Sequence, residues 1–158
     1  MSGVPYAVTL VTAVGCGLVA GVFFAFSTFV MPALKRVTPS GGVEAMLSIN
    51  RVAPTPPFMI ALFGTALVAL GLIVWSVVSS DDRPTALIVA GGGLYLVGTI
   101  GVTIAGNVPL NDRLERADSA QATSASWQDW INPWIAWNNV RTAAALAAAA
   151  LLTVALDG

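Results

Sequence analysis

The chain has no histidine, one cysteine (Cys16) and, in 158 residues, only seven Lys or Arg and eight Asp or Glu. Without histidine there is no bis-histidine haem and no His-ligated zinc, copper or non-haem iron. A single thiol excludes an internal disulfide, a thiolate metal cluster and a CxxC redox pair. The formal net charge of −1 offers no basic footprint, so nucleic acid is not an expected partner. Charged residues make up 9% of the chain, against about a quarter in a soluble domain. That is too few to cover a water-facing surface. With 56% hydrophobic residues and a mean hydropathy of +0.81, the expected solvent is lipid. Chemistry is left to Asn, Arg, carboxylates, hydroxyls and aromatic rings, or to a small molecule that the protein binds.

A spanning helix needs roughly 20 apolar residues. Four stretches qualify, at 6–30, 58–78, 85–106 and 133–156. They predict an all-α fold, a transmembrane four-helix bundle of up-down topology, as a single integral membrane domain over residues 1–158. Pro32, Lys35 and Arg36 stop the first span. Thr55-Pro56-Pro57 opens the second with proline in the first turn, where a missing N–H costs nothing. Ser80-Asp81-Asp82-Arg83-Pro84 is a polar turn into the third, and Asn132-Pro133 opens the fourth. The first stretch has no basic residue before it and is too long for the apolar region of a signal peptide, so it reads as a span with Cys16 as a small packing residue.

Six of the seven basic residues (Lys35, Arg36, Arg51, Arg113, Arg116, Arg141) fall in or beside segments 31–57 and 107–132, with Arg83 opposite. The positive-inside bias predicts these two loops in the cytoplasm and both termini outside, in a bacterial plasma membrane. Inside the first loop, Ser40 to Arg51 reads as a short amphipathic interfacial helix between spans one and two. Val43, Met46, Leu47 and Ala53 share its apolar face, which Asn50 interrupts, while Glu44, Ser48 and Arg51 point elsewhere. Small residues predict close helix packing: Gly17 and Gly21 with Ala13 and Ala25, Gly101 with Ala105, and the alanine-rich run 143–150. The Gly17/Gly21 face suits a second copy of the chain, as a homo-oligomer, as well as the chain's own third span.

Polar residues gather at one end of the third and fourth spans. Asn107-Val108-Pro109-Leu110-Asn111 follows the third. Trp127, Trp130, Trp134, Trp137 and Arg141 then recur at intervals of three and four, a single helical stripe even if Pro133 kinks it, with Asn138 beside Trp134. An aromatic belt at the headgroups with a snorkelling arginine is one reading, and for Trp127 and Trp130 it is as good as a pocket. It explains Asn107, Asn111, Asn138 and Arg141 less well. If the fourth helix starts at Pro133, Arg141 lies roughly 12 Å along it. An ionised group that deep costs a few kcal/mol unless it meets a partner or a wet cavity. A pocket mouth with amide partners is the better explanation, with Glu44, Asp112 and Asp129 as candidate counter-charges. Such a pocket would be apolar and aromatic-walled, with Phe23, Phe24, Phe26 and Phe29 available to complete it. It suits a flat, hydrophobic, weakly acidic ligand whose anion needs stabilising.

Four segments together resemble the anthrone oxygenase-like family of small four-span membrane proteins: Gly21-Val-Phe-Phe-Ala-Phe-Ser-Thr-Phe-Val-Met-Pro-Ala-Leu34, Asn50-Arg51, Asn107-Val-Pro-Leu-Asn111 and Trp134-Ile-Ala-Trp-Asn-Asn-Val-Arg-Thr142. The resemblance implies oxidation of an anthrone to an anthraquinone by molecular oxygen, without metal, flavin or haem. An anthrone's acidic methylene gives a resonance-stabilised carbanion that passes an electron to oxygen directly, so the protein supplies a base, an anion site and a dry pocket. On this basis Arg141 is the expected anion site and Asn107, Asn111 and Asn138 are orienting hydrogen-bond groups. Trp134 and Trp137 are the expected stacking walls with Phe26, and Asn50-Arg51 closes the mouth. The base is open between Asp112, Asp129 and water. In the family pattern a histidine often follows the Trp-Asn pair. Here Asn139 stands there, which removes histidine-based proton transfer. The competing reading is a non-catalytic lipid or quinone carrier, or an accessory subunit, using the same pocket. A small transporter has less support, because no carboxylate falls within a span.

Overall fold

Each long apolar stretch is helical, and most of the helices run further than the apolar run that nucleates them. In the computed structural model, which describes residues 2–79, 84–117 and 121–158, the helices are α1 (Gly3–Leu34), α2 (Pro39–Val52), α3 (Pro56–Val78), α4 (Thr85–Glu115) and α5 (Ser124–Asp157). The expected polar turn at Ser80–Arg83 lies outside the described residues. No strand occurs among those described. α1, α3, α4 and α5 are each long and apolar enough to cross a membrane, and the chain is a four-span, all-α membrane protein.

Three expected helix boundaries move. α1 continues through Pro32 and α4 through Pro109, while α5 begins at Ser124, well before Pro133. Segment 107–132, expected as a loop, is therefore largely the end of α4 and the start of α5. The physical reason lies one turn back from the first two prolines. Phe26–Val30 and Thr103–Asn107 are π-helical turns that end directly before Met31-Pro32 and Val108-Pro109. A proline lacks the N–H of the i→i+4 ladder and crowds the carbonyl of the preceding turn; a wider turn bonded i→i+5 makes room for the ring. α5 is started instead by Thr123, whose hydroxyl accepts the Ser126 N–H at 3.2 Å while its own N–H donates to Ser126 Oγ at 2.9 Å. This reciprocal capping box replaces the expected Asn132-Pro133 start. α3 begins as expected, with Pro56 in its first turn after an extended Thr55, though the Thr55 hydroxyl makes no capping bond. α2 is capped by Thr38, whose Oγ1 accepts the Gly41 N–H at 3.3 Å. Val43 and Met46 are buried on its inner face, whereas Ala53 is exposed.

Neighbours in sequence are neighbours in space. α1 packs on α3, α3 on α4, α4 on α5, and α5 closes the ring on α1. The last turn of α5 touches α1, and Gly158 lies beside Pro84, so both termini share one end with the α3–α4 connection. α2 lies across the other end, against α4 and α5. Two apolar clusters fill the ring. One, around Cys16, Val19, Ala20, Tyr95, Ala145 and Leu152, occupies the end near the termini. The other, around Met31, Met46, Leu114, Trp127, Trp130 and Ile131, lies under α2.

The packing glycines are not the expected ones. Gly17 and Gly21 face open space, and Ala105 is exposed, so these spacings do not join helices within the chain. Close approach falls instead at Gly15, which lies against the Thr65 side chain, and at Gly98, where an added Cβ would stand 2.5 Å from the Cβ of Ala144. The alanine-rich run behaves as expected, with Ala144, Ala145 and Ala148 buried. Overpacking a fitted contact costs about 1–3 kcal/mol. Gly98→Leu is expected to lower the unfolding temperature of the detergent-purified protein by several degrees, and Gly21→Leu to leave it unchanged. Equal losses in the two variants would overturn this packing order.

Candidate functional site

Arg141 projects from α5 into the bundle and is only 6% exposed. Its Nη2 donates to Asn138 Oδ1 at 2.6 Å, one turn back on the same helix, and its Nη1 donates to Thr103 Oγ1 of α4 at 3.2 Å. The guanidinium carbon lies 4.1 Å from the ring centroid of Phe23 and 5.5 Å from that of Trp134. Nε has no partner. None of the candidate counter-charges reaches it: among the described residues the ion pair present is Arg51 with Glu115, at 3.8 Å. Glu44 and Asp129 are exposed elsewhere, and Asp112 stands exposed on the cavity rim. The expected carboxylate is replaced by an amide oxygen, a hydroxyl and two aromatic faces, which solvate a cation without neutralising it.

Asn138 is fully buried and aims this arrangement. Its Nδ2 donates to the Phe23 carbonyl at 2.7 Å and to Ser27 Oγ at 2.6 Å, so Oδ1 is turned toward Arg141. Asn107 is also buried and donates from Nδ2 to the Trp134 carbonyl at 3.1 Å, leaving Oδ1 without a partner. Asn111 Oδ1 accepts the Trp134 indole N–H at 2.8 Å, which fixes that ring. Phe26 tilts against Trp134 with centroids 5.9 Å apart. Trp127, Trp130 and Trp134 form a stacked ladder, at 5.3 and 6.1 Å, and Trp130 donates to the Leu110 carbonyl at 2.7 Å. Trp127 and Trp130 are each 4% exposed, which makes them core residues under α2 and not a headgroup belt.

Phe23, Phe26, Thr103, Asn111, Trp134 and Arg141 border a cavity of about 890 Å³ between α1, α3, α4, α5 and α2. Its walls are mainly apolar, with Phe23, Phe26, Phe58, Met59 and Leu62 on one side and Trp134 and Arg141 on the other. Asn50, Asp112 and Glu115 line it near the α2 end. The cavity has more apolar than polar lining, and among the described residues the one cation in its wall is Arg141. One π-helical turn from each of α1, α3 and α4 adjoins it, through Phe26, Leu62 and Thr103.

The sequence pattern of the anthrone oxygenase family matches residues 44–151 of the chain. The chain belongs to that family. No curated protein and no solved structure matches it.

Within this family member the expected site residues divide into four groups. Arg141, Asn111, Trp134, Phe26 and Asn50 line the cavity. Asn107 and Asn138 stand behind it as supports, holding Trp134 and Arg141 in place. Arg51 lies outside it, 69% exposed, and reaches the rim only through Glu115. Trp137 is not a wall: it is 44% exposed and covers Gly106, on a flank of α5 that turns away from the cavity. The inward stripe is Trp127, Trp130, Trp134, Asn138 and Arg141, with Asn138 where Trp137 was expected. Asn139 is exposed as well. Sequence reasoning missed Ser27 and Thr103, the two hydroxyls that complete the polar cluster. Thr99, Thr103 and Asn107 at four-residue spacing on one span were a readable signal of a polar stripe. Removing one partner of a buried hydrogen-bonded group costs about 1–3 kcal/mol. Asn138→Leu strips partners from Arg141, Ser27 and the Phe23 carbonyl, so thermal unfolding should show a loss at the upper end of that range. Asn111→Leu, which strips only the Trp134 N–H, should cost less.

Proposed function

We propose that this protein is a membrane-embedded, cofactor-independent oxygenase acting on a flat, hydrophobic, phenolic or anthrone-type substrate with molecular oxygen. The observation that carries the reading is a buried guanidinium without a carboxylate partner, set in the wall of an aromatic cavity large enough for a tricyclic ring. A neutral acid entering that cavity gains stabilisation when it loses a proton, because its anion supplies the charge Arg141 lacks. Family membership supports the same chemistry.

In the proposed reaction the substrate lies between Trp134 and the phenylalanines, with its oxygen toward Arg141. Loss of a methylene proton gives a delocalised anion. One-electron transfer to oxygen and recombination of the radical pair form a carbon–oxygen bond, and the resulting peroxide eliminates water to leave a carbonyl. One molecule of oxygen is consumed, one of its atoms enters the quinone and the other leaves as water. Asp112 and Glu115 at the rim, or water there, take the proton. The Lys and Arg residues at the α2 end support a cytoplasmic placing of that end, with both termini outside.

A second reading, a carrier that holds a lipid or quinone without turning it over, is favoured by one feature: the cavity's carboxylates stand at its exposed rim and none lies beside Arg141. Oxygen uptake and quinone absorbance separate the two. With an anthrone, the purified protein should exceed the spontaneous oxidation rate, and Arg141→Ala should lose about 10²-fold or more of that excess, the scale on which a single oxyanion donor acts. Arg141→Lys, which keeps the charge without the fork, should fall between them. A wild-type rate equal to autoxidation, with the substrate retained on the protein, would leave the carrier.

A further inference from the structure

A second, smaller cavity of about 330 Å³ lies between the end of α1, the start of α2 and the first turns of α5. It shares no lining residue with the larger one. Lys35, Pro39, Ser124, Trp127, Gln128 and Asn132 border it, and among the described residues no carboxylate does. Lys35 Nζ donates to Asn132 Oδ1 at 2.7 Å, a bond that ties α1 to α5. That bond occupies the amide oxygen and leaves the Asn132 N–H groups for another acceptor. Lys35 itself has no acidic partner among the described residues. Trp127 borders it with its ring 4% exposed, while the indole N–H is turned against Gly42 of α2. α2 and α5 both begin at this cavity, at Pro39 and Ser124; Thr38 and Thr123 cap the Gly41 and Ser126 N–H groups there, and the positive ends of both helix dipoles remain. Every polar feature of the wall is thus a cation, a donor or a group able to donate, which is the chemistry of an anion site.

The surroundings distinguish among anions. Lys35 directly follows Leu34, the last residue of α1, so the cavity opens where the apolar span meets polar surface. Phe29 and Ala33, one turn apart in the part of α1 that leads up to Lys35, are exposed, and Val37, 49% exposed, lines the cavity. That apolar strip serves an acyl chain and would be of no use to a free ion. A zwitterionic choline headgroup would bring a second cation to a wall that holds no acid. We propose that this cavity binds the phosphate headgroup of an anionic phospholipid, whose acyl chain lies along Phe29 and Ala33.

The proposal is tested by native mass spectrometry of the full-length protein in detergent with phosphatidylglycerol or phosphatidylcholine. The wild type should prefer phosphatidylglycerol about fivefold, the ratio that one lysine near an anionic surface supplies. Lys35→Gln should abolish the preference, Lys35→Arg should keep it, and Arg113→Gln, an exposed cation outside the cavity, should leave it intact. Asn132→Asp keeps a partner for Lys35 while placing an acid in the wall, and should abolish the preference without unfolding the protein. Equal binding of the two lipids by the wild type, or equal loss in Lys35→Gln and Arg113→Gln, would overturn the proposal. So would displacement of phosphatidylglycerol by millimolar inorganic phosphate, which would make the cavity a free-phosphate site.

Discussion

A guanidinium ion inside a bundle surrounded by lipid has to be solvated by the protein, because neither water nor headgroup reaches it freely. For Arg141 the usual remedy, a carboxylate, would cancel the charge and add a second desolvation cost. The bundle uses neutral groups instead: one amide oxygen, one hydroxyl and the faces of Phe23 and Trp134. Such contacts lower the cost of burying the ion and leave its net charge available. A cation–π contact at a desolvated site is worth about 2 kcal/mol, comparable with a charged hydrogen bond.

Much of the architecture follows from holding those groups in place. Asn138 is aimed by the Phe23 carbonyl and Ser27, so α1 and α5 must lie close together along this stretch. Buried alanines along α5 let it approach its neighbours closely, Ala144 meeting Gly98 of α4, and α5 packs extensively on both α1 and α4. Trp134 is fixed from two sides by Asn107 and Asn111, both on α4. Those two asparagines are four residues apart across Pro109, so α4 must stay helical through the proline to present both. The π-helical turn before Pro109 is what allows this, and the matching turn before Pro32 keeps α1 helical while Phe26 and Ser27 face inward.

The class of fold was legible because composition and span length are set by the bilayer, and no tertiary detail alters them. Helix ends were less legible. Pro32 and Pro133 each read as a boundary, since proline disfavours the ordinary helix, and the third span read as ending before Asn107; a π-helical turn leaves no mark in the local sequence. In the site, Arg141, Asn138, Asn111 and Trp134 could be singled out because a polar group at a helical interval on a span needs a reason. Trp137 could not be separated from Trp134 by spacing alone. A stripe drawn at intervals of three and four covers a wide arc, and only the position of α4 decides which edge is buried. Gly17 and Gly21 failed for a related reason: a small-residue spacing states that a helix can approach, and says nothing of which helix does. The hydroxyls Ser27 and Thr103 come from helices remote in sequence, and their role exists only once the bundle closes.

The placement of charge has a consequence for the base that the sequence leaves open. A strong buried base next to Arg141 would pair with it in the resting protein and remove the very charge the proposed anion requires. Carboxylates at the rim avoid that conflict. Asp112 and Glu115 remain in contact with water, so a proton reaching them is passed on, and Glu115 is further occupied by Arg51. On the proposed function, the acidity of the substrate is set mainly by the cation at the inner wall, and the group that removes the proton need only be a weak base at the mouth. In the proposed reaction, anion stabilisation and proton removal are separate tasks, falling to α5 and to the end of α4. A histidine at position 139 would have served neither, because that position faces outward.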